Sequence, residues 1–214
     1  MTFSIFYGEG YKLSVSYTGI REHYDLLIEE NNDPVYDPEP LKSYMDKWDG
    51  RVFLEELQLT SEKSVLEIGV GTGRLAIRVA PLCHEFFGID LSPKTIERAK
   101  ENLKEFNNAS FICDDFMQYE FCRKFDVIYS SLTFMHIKDK QAAIHKVRRF
   151  LNGGGRFVLS VDRNPSDTIE YGTRKIKIYP DKKENILRYI HQSGMSIEKM
   201  IKTNFAYIFS AHIK

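Results

Sequence analysis

Residues 64–68, 85–89, 110–113, 125–130 and 156–161 are short runs dominated by apolar side chains. Most of the segments between them carry apolar residues at helical spacing. Apolar runs of that length, without polar alternation, predict strands buried on both faces of a sheet. Helices are predicted at 75–80, from 92 onward and at 140–151. Ser92 is placed to cap the second, Pro93 suits its first turn, and Ile96, Ala99 and Leu103 line one face. Ile144, Val147 and Leu151 line the third, which Gly153, Gly154 and Gly155 are expected to stop. Strands that alternate with helices predict a largely parallel sheet, covered on both faces and joined by right-handed crossovers. The pattern changes near the end. A helix at 186–192 closes at Ser193-Gly194, and strands at 195–203 and 206–213 leave only Asn204-Phe205 for a turn. So short a connection forces antiparallel pairing. The expectation is therefore α/β, with a seven-stranded, mainly parallel sheet, helices on both faces and a C-terminal antiparallel hairpin.

Residues 1–60 lack this regularity. A helix is predicted over 17–30, where Tyr24, Leu26, Leu27 and Ile28 form an apolar patch. Asn31 to Pro34 reads as a turn. A second helical stretch at 38–59 is weakened or divided by Gly50. The division expected is a helical cap over 1–60 and a catalytic domain over 61–214. The 214 residues suit one domain with an appended segment. Thirty basic and thirty acidic residues leave no cationic excess for a phosphate backbone, so no nucleic-acid partner is expected. Cys83, Cys113 and Cys122 form no CxxC pair, and no dense His, Cys or carboxylate cluster suggests a metal site. No run approaches the ~20 apolar residues of a membrane span, and Met1 to Ser4 lacks the features of a signal peptide. A cytoplasmic protein without membrane attachment is the default.

The first apolar run enters Gly69-Val70-Gly71-Thr72-Gly73-Arg74 and a helix follows at once. Glycines are needed where backbone turns sharply or a ligand lies against it. The helix start adds unpaired N–H groups and a partial positive field. The spacing is G-x-G-x-G, not the G-x-G-x-x-G of dinucleotide sites, and no G-K-S/T follows. Glu67, two residues before the first glycine, would repel a pyrophosphate and suit a ligand bearing an amino group or positive charge. Asp90 ends the second strand, where a carboxylate can accept bonds from both hydroxyls of a ribose. Asp114 and Asp115 end the third. Either can reach an adenine edge; Asp115 is favoured because Phe116 follows it.

Glu67 to Gly73, Asp90, Asp114-Asp115-Phe116 and Phe125-Asp126-Val127-Ile128 resemble, in order and spacing, the class I S-adenosylmethionine-dependent methyltransferases. The similarity runs over about residues 38–214 and implies a Rossmann-like fold with S-adenosylmethionine as cofactor. By this resemblance Glu67 and the loop of Gly69, Gly71 and Gly73 would lie at the methionine part. Asp90, with Leu91 beside it, would hold the ribose. Asp115 or Asp114 would hold the adenine amino group and Phe116 would flank the ring. Ser130 and Ser131 would meet cofactor and acceptor.

A sulfonium methyl is already activated, so the protein mainly has to align the acceptor. A base helps only if the acceptor must lose a proton. His136, in the loop after the fourth strand, is the catalytic candidate. It reads as a general base, a cofactor-lining residue or a structural one. Ser130-Ser131-Leu132-Thr133 lacks the Pro-Pro-aromatic motif of enzymes that methylate adenine or glutamine amino groups. Tyr36, Tyr44 and Trp48 are candidates for an aromatic lid over the acceptor, or for packing of the cap on the domain. Residues 162–184 form a second candidate flap, its run from Arg174 to Ile178 either a strand with a solvated basic face or a contact for an anionic acceptor. The leading reading is methyl transfer to a small molecule. The rivals are a protein or RNA acceptor, and a cofactor-binding module without turnover. Oligomeric state is not legible.

Overall fold

The computed structural model describes residues 16–214; the first four residues and the rest of the stretch before Ser16, part of the expected cap, lie outside it. Seven strands form the main sheet: β2 (Ser64–Ile68), β3 (Glu85–Asp90), β4 (Ala109–Cys113), β5 (Phe125–Ser131), β6 (Leu151–Asp162), β9 (Ser196–Lys202) and β10 (Ala206–His212). Their order is β4-β3-β2-β5-β6-β10-β9. The first five run parallel, and β10 lies antiparallel to both β6 and β9. This is the topology the apolar pattern predicts. All five residues of β2 are buried, as a central strand covered on both sides requires. Leu66 and Ile128 join one apolar cluster, while Val65, Val127 and Tyr129 join another.

The helices that cover the sheet include α5 (Pro93–Asn102), α6 (Lys140–Phe150) and α7 (Lys183–Gln192). Ser92 caps α5 as expected, its hydroxyl accepting from the Thr95 N–H at 3.1 Å. After the glycine loop the predicted helix is a single turn, α4 (Ala76–Val79), that tightens into a 3-10 turn.

The glycine triplet is a correction. Helix α6 ends at Phe150 and the chain passes directly into β6. Leu151 pairs with Phe125 and Arg156 with Val127, so residues 152–155 bulge out of the strand. Gly154, with φ +73°, supplies the left-handed turn that bulge needs. Asp126 pins the region. It accepts from the Ser64 N–H and hydroxyl, both at 2.9 Å, and from the Asn152 amide at 2.7 Å.

The first sixty residues hold α1 (Ile20–Glu29), α2 (Glu39–Asp49) and α3 (Arg51–Glu56), with Gly50 dividing the last two. The predicted first helix starts later than its pattern suggested, because Ser16–Tyr17 is a strand, β1. It pairs with β8 (Arg174–Lys177), which also pairs with β7 (Thr168–Tyr171). Cap and flap are thus hydrogen-bonded into one small sheet. Among the described residues no helix is long and apolar enough to cross a membrane.

Candidate functional site

A cavity of about 490 Å³ opens at the carboxyl ends of β2, β3, β4 and β5. That is where ligands sit in open α/β sheets, since the loops there diverge and leave a crevice. Its wall includes Glu67, Gly69, Gly71, Asp90, Leu91, Asp114, Asp115, Phe116, Ser131 and His136.

The glycine loop does two different jobs. Gly69 has φ +77°, and a Cβ there would lie 2.0 Å from the Thr133 Oγ1; at Gly73, φ +95°, it would lie 2.3 Å from Leu103 Cδ1. Both are glycines because neighbouring side chains occupy the space. Gly73 does not line the cavity. Gly71, φ +57°, has nothing within 4 Å of such a Cβ, so it presents bare backbone to the opening. Its N–H donates to Asp90 Oδ2 at 3.0 Å, and the Ser92 N–H donates to Asp90 Oδ1 at 3.0 Å. The Leu91 N–H is a third backbone donor to this carboxylate, which leaves part of its acceptor capacity for the cavity. Burial pushes the Asp90 carboxyl above its ordinary pKa, with those N–H donors opposing.

Glu67 is almost wholly buried, and the Tyr129 hydroxyl donates to its Oε2 at 2.8 Å. Burial raises its pKa to about 8, against the opposing influence of Tyr129 and Arg74. A carboxyl poised this way gains from any cation brought beside it.

Asp114 and Asp115 both reach the cavity. Asp115 Oδ1 accepts from the Met117 N–H at 2.8 Å, and Asp114 Oδ1 accepts from the Asp115 N–H at 2.7 Å. Each keeps one oxygen outside these bonds.

His136 sits on a 3-10 turn after β5, with Nε2 2.8 Å from the Tyr24 hydroxyl of α1. Burial, with His23 and Lys140 nearby, lowers its pKa to about 4, so the imidazole is neutral at pH 7. The turn is held from below. The Lys140 ammonium donates to the Phe134 and Ile137 carbonyls at 2.8 and 2.9 Å, and pairs with Asp181 at 3.1 Å.

Besides Gly73, four predicted residues fall elsewhere. Ser130 is fully buried and its hydroxyl donates to the Ile68 carbonyl at 2.8 Å, so it ties β5 to β2 beneath the cavity. Tyr36 points to solvent, 73% exposed. Trp48 stacks on Phe205 at 4.5 Å between centroids, and Tyr44 lies edge-on to Trp48 at 5.3 Å. These two rings pack the cap on the hairpin turn and do not line the cavity. The Trp48 and Lys47 carbonyls, orphaned at the end of α2, accept from the Ser160 and Thr203 hydroxyls, each at 2.8 Å. Helix α2 is therefore a fixed strut.

The residues that close the opening are others. Tyr24, Ile20 and Arg21 of α1, with Pro34 and Met45, line it. Helix α1 is held by polar contacts. Asp25 accepts from the Ser92 hydroxyl at 2.7 Å, Glu30 pairs with Arg174 at 2.6 Å, and Asp33, just beyond, accepts from the Asn102 amide at 3.0 Å. Arg74 also lines the cavity, and both of its terminal nitrogens donate to the buried Asp49, which accepts in addition from the Ser131 hydroxyl. Of these, Tyr24 is marked in the sequence as part of the patch on its helix. Asp49 and Arg74 are 25 positions apart and belong to separate patterns.

A family model described as a methyltransferase domain matches residues 59–204. A malonyl-[acyl-carrier protein] O-methyltransferase of Ilyobacter polytropus is 31% identical over 103 residues, 47% of this chain and 38% of that one. The chain spans about half or less of the length of the curated relatives it matches. Among solved structures, the magnesium protoporphyrin IX methyltransferase of Synechocystis PCC 6803 with bound SAH superposes with a TM-score of 0.72 at 17% identity, covering 91% of this chain and 98% of that one. The [4+2]-cyclase SpnF superposes with a TM-score of 0.75 at 15% identity, covering 94% and 99%. At these identities the superpositions show a common fold.

Proposed function

Because the chain belongs to the methyltransferase-domain family, we propose that it binds S-adenosylmethionine and moves the methyl group to a small molecule. The observation that carries the reading is the buried Glu67 beside a bare glycine loop, with the Asp90 carboxylate lining the same cavity at the end of the next strand. A charged amino group suits Glu67, a ribose suits Asp90, and an adenine suits the edge formed by Asp114, Asp115 and Phe116. When bound, the cofactor supplies a methyl carbon on a sulfonium sulfur. The chain's own residues then orient the acceptor and exclude water. Neutral His136, with the Tyr24 hydroxyl 2.8 Å from its Nε2, stands where a proton given up by an acceptor can be relayed; the burial that keeps it neutral makes it a weak base that passes the proton on. The roof made by α1 over the opening favours a small acceptor over a protein or RNA. The balanced charge agrees, and with it a cytoplasmic protein without nucleic-acid or membrane partners.

Calorimetric titration with S-adenosylhomocysteine tests the binding. Micromolar affinity is expected, and Asp90→Ala should weaken it by about 1–3 kcal/mol through lost charge-assisted hydrogen bonds. Unchanged affinity in that variant would remove the ribose assignment. A fold shared with a cyclase does not fix the chemistry. Release of S-adenosylhomocysteine in the presence of small acceptors is therefore the second measurement, and its absence with tight binding would favour a module without turnover.

Glu67 gives the binding a pH signature. Free, its pKa is about 8, so the carboxyl is mostly protonated at pH 7. A ligand ammonium beside it lowers that pKa, so binding expels a proton and affinity rises with pH until about 8, then levels off. Titration at pH 7 in buffers of different ionisation enthalpy should show close to one proton released, falling toward zero by pH 9. No release at pH 7 would mean the ammonium lies elsewhere.

A further inference from the structure

A second cavity of about 670 Å³ adjoins the first, sharing Lys138 and Asp139 with it. Its wall sets three lysines, two amides and two phenols against one carboxylate, Asp139. Lys138 and Lys182 line it, and neither forms an ion pair among the described residues. Asn185 lines it too, and because Arg188 donates to its Oδ1 at 3.0 Å, the amide NH₂ is the group left to serve a ligand. Gln141 and two phenols, Tyr179 and Tyr189, complete the wall. The carboxylates nearby are committed. Asp139 caps α6 by accepting from the Ala142 N–H at 2.9 Å, Asp181 pairs with Lys140 at 3.1 Å, and Glu184 pairs with Lys183 at 3.4 Å.

The groove is also coupled to the reactive end of the first cavity. The Tyr179 N–H donates to the Met135 carbonyl at 2.7 Å, one residue from His136. Lys140, in the groove floor, holds the same turn through two carbonyls. The first cavity, at about 490 Å³, lies within the ~300–1,000 Å³ usual for a single ligand. A cofactor of nucleoside size fills most of it, so the body of an acceptor has to extend past the His136 turn. The way out over Lys138 leads into the groove of donors.

We propose that this groove is an acceptor subsite for an anionic group, a carboxylate or a phosphate, and that the substrate is a small acid whose methyl-accepting end lies at His136 while its anion is held by Lys138, Lys182 and Asn185. This rests on the transfer reading above for the position of the reactive end. The anion site itself stands on the groove's own chemistry.

The test is amide-resolved NMR titration of the full chain with benzoate, phenyl phosphate and the neutral benzyl alcohol, with and without saturating S-adenosylhomocysteine. Shifts centred on Tyr179, Lys182 and Asn185 are expected for one or both anions, and the two anion arms tell carboxylate from phosphate. Lys182→Ala should weaken the anion about tenfold, Lys182→Arg should retain it, and S-adenosylhomocysteine affinity should stay within twofold in both. Equal binding of benzyl alcohol, shifts centred elsewhere, or no response to Lys182→Ala would overturn the proposal. Absence of S-adenosylhomocysteine binding, with the anion still bound in the groove, would overturn the cofactor reading instead.

Discussion

Asp49→Ala should cost about 3–5 kcal/mol of folding stability, because it strands a guanidinium that the fold has already taken out of water. The Asp49 side chain is fully buried and the Arg74 side chain is 18% exposed. No solvent rearrangement at the surface can replace the lost partner. For a chain of this size each kcal/mol shifts the melting temperature by about 2–4 °C, so a fall on the order of 10 °C is expected in thermal unfolding followed by circular dichroism. Asp49→Asn keeps an acceptor for one Arg74 nitrogen and should fall less. Equal falls in the two variants would show that the charge, which both lose, and not the packing or the single acceptor that Asn keeps, is what Asp49 provides. The same carboxylate accepts from Ser131. The alanine variant should therefore also loosen the loop that carries Ser131 at the cavity wall, which S-adenosylhomocysteine release measured below the melting transition would register.

Gly69→Ala is the second large effect. The backbone there is left-handed, φ +77°, which costs a residue with a side chain about 1–2 kcal/mol. The new methyl would also stand 2.0 Å from Thr133 Oγ1 and 2.5 Å from Cγ2. Overpacking of this kind adds about 1–3 kcal/mol. Thr133 cannot swing away without giving up its bond to the Ser131 carbonyl, 3.1 Å long. The sum is about 2–5 kcal/mol, read by denaturant unfolding, together with a displaced loop. Gly71→Ala is the informative partner, since it meets no atom within 4 Å. It should unfold within about 2 kcal/mol of the parent. A Gly71→Ala chain as unstable as Gly69→Ala would show that strain, and not the Thr133 collision, governs the loop.

The sequence carried what is local. The central strand β2 is mostly apolar and buried along its length because it is covered twice, and the alternation of most such runs with helices leaves few topologies open. Gly71, Asp90 and Glu67 were legible because each lies within three residues of a strand end, and strand ends converge. Ser130 and Ser131 show the limit. Successive side chains on a strand face opposite ways, and composition does not say which way β5 turns. Ser131 reaches Asp49 at the cavity wall, while Ser130 is spent on the Ile68 carbonyl.

The cap was harder for the same reason at longer range. Tyr44 and Trp48 are rings on a helix preceding the domain, and nothing nearby marks Phe205, some 160 positions on, as their partner. The closing contacts come from Tyr24, whose partner His136 is 112 residues away. Polar latches such as Asp25 to Ser92 bury little apolar surface and leave no periodic trace. The glycine triplet misled because three glycines after a helix usually end it. Here they swing out between two paired positions of one strand, an arrangement set by Asp126 and Asn152 across the sheet.

The place of β10 in the sheet has a consequence for synthesis. It is later in the chain than β9, yet it lies between β9 and β6. While a ribosome is still making residues 206–212, β6 has no neighbour on that side and β9 has nothing to join. A nascent chain halted at that stage offers a long apolar edge to any other strand. Insertion of β10 between them, and not completion of the glycine loop, is then the step that covers this edge.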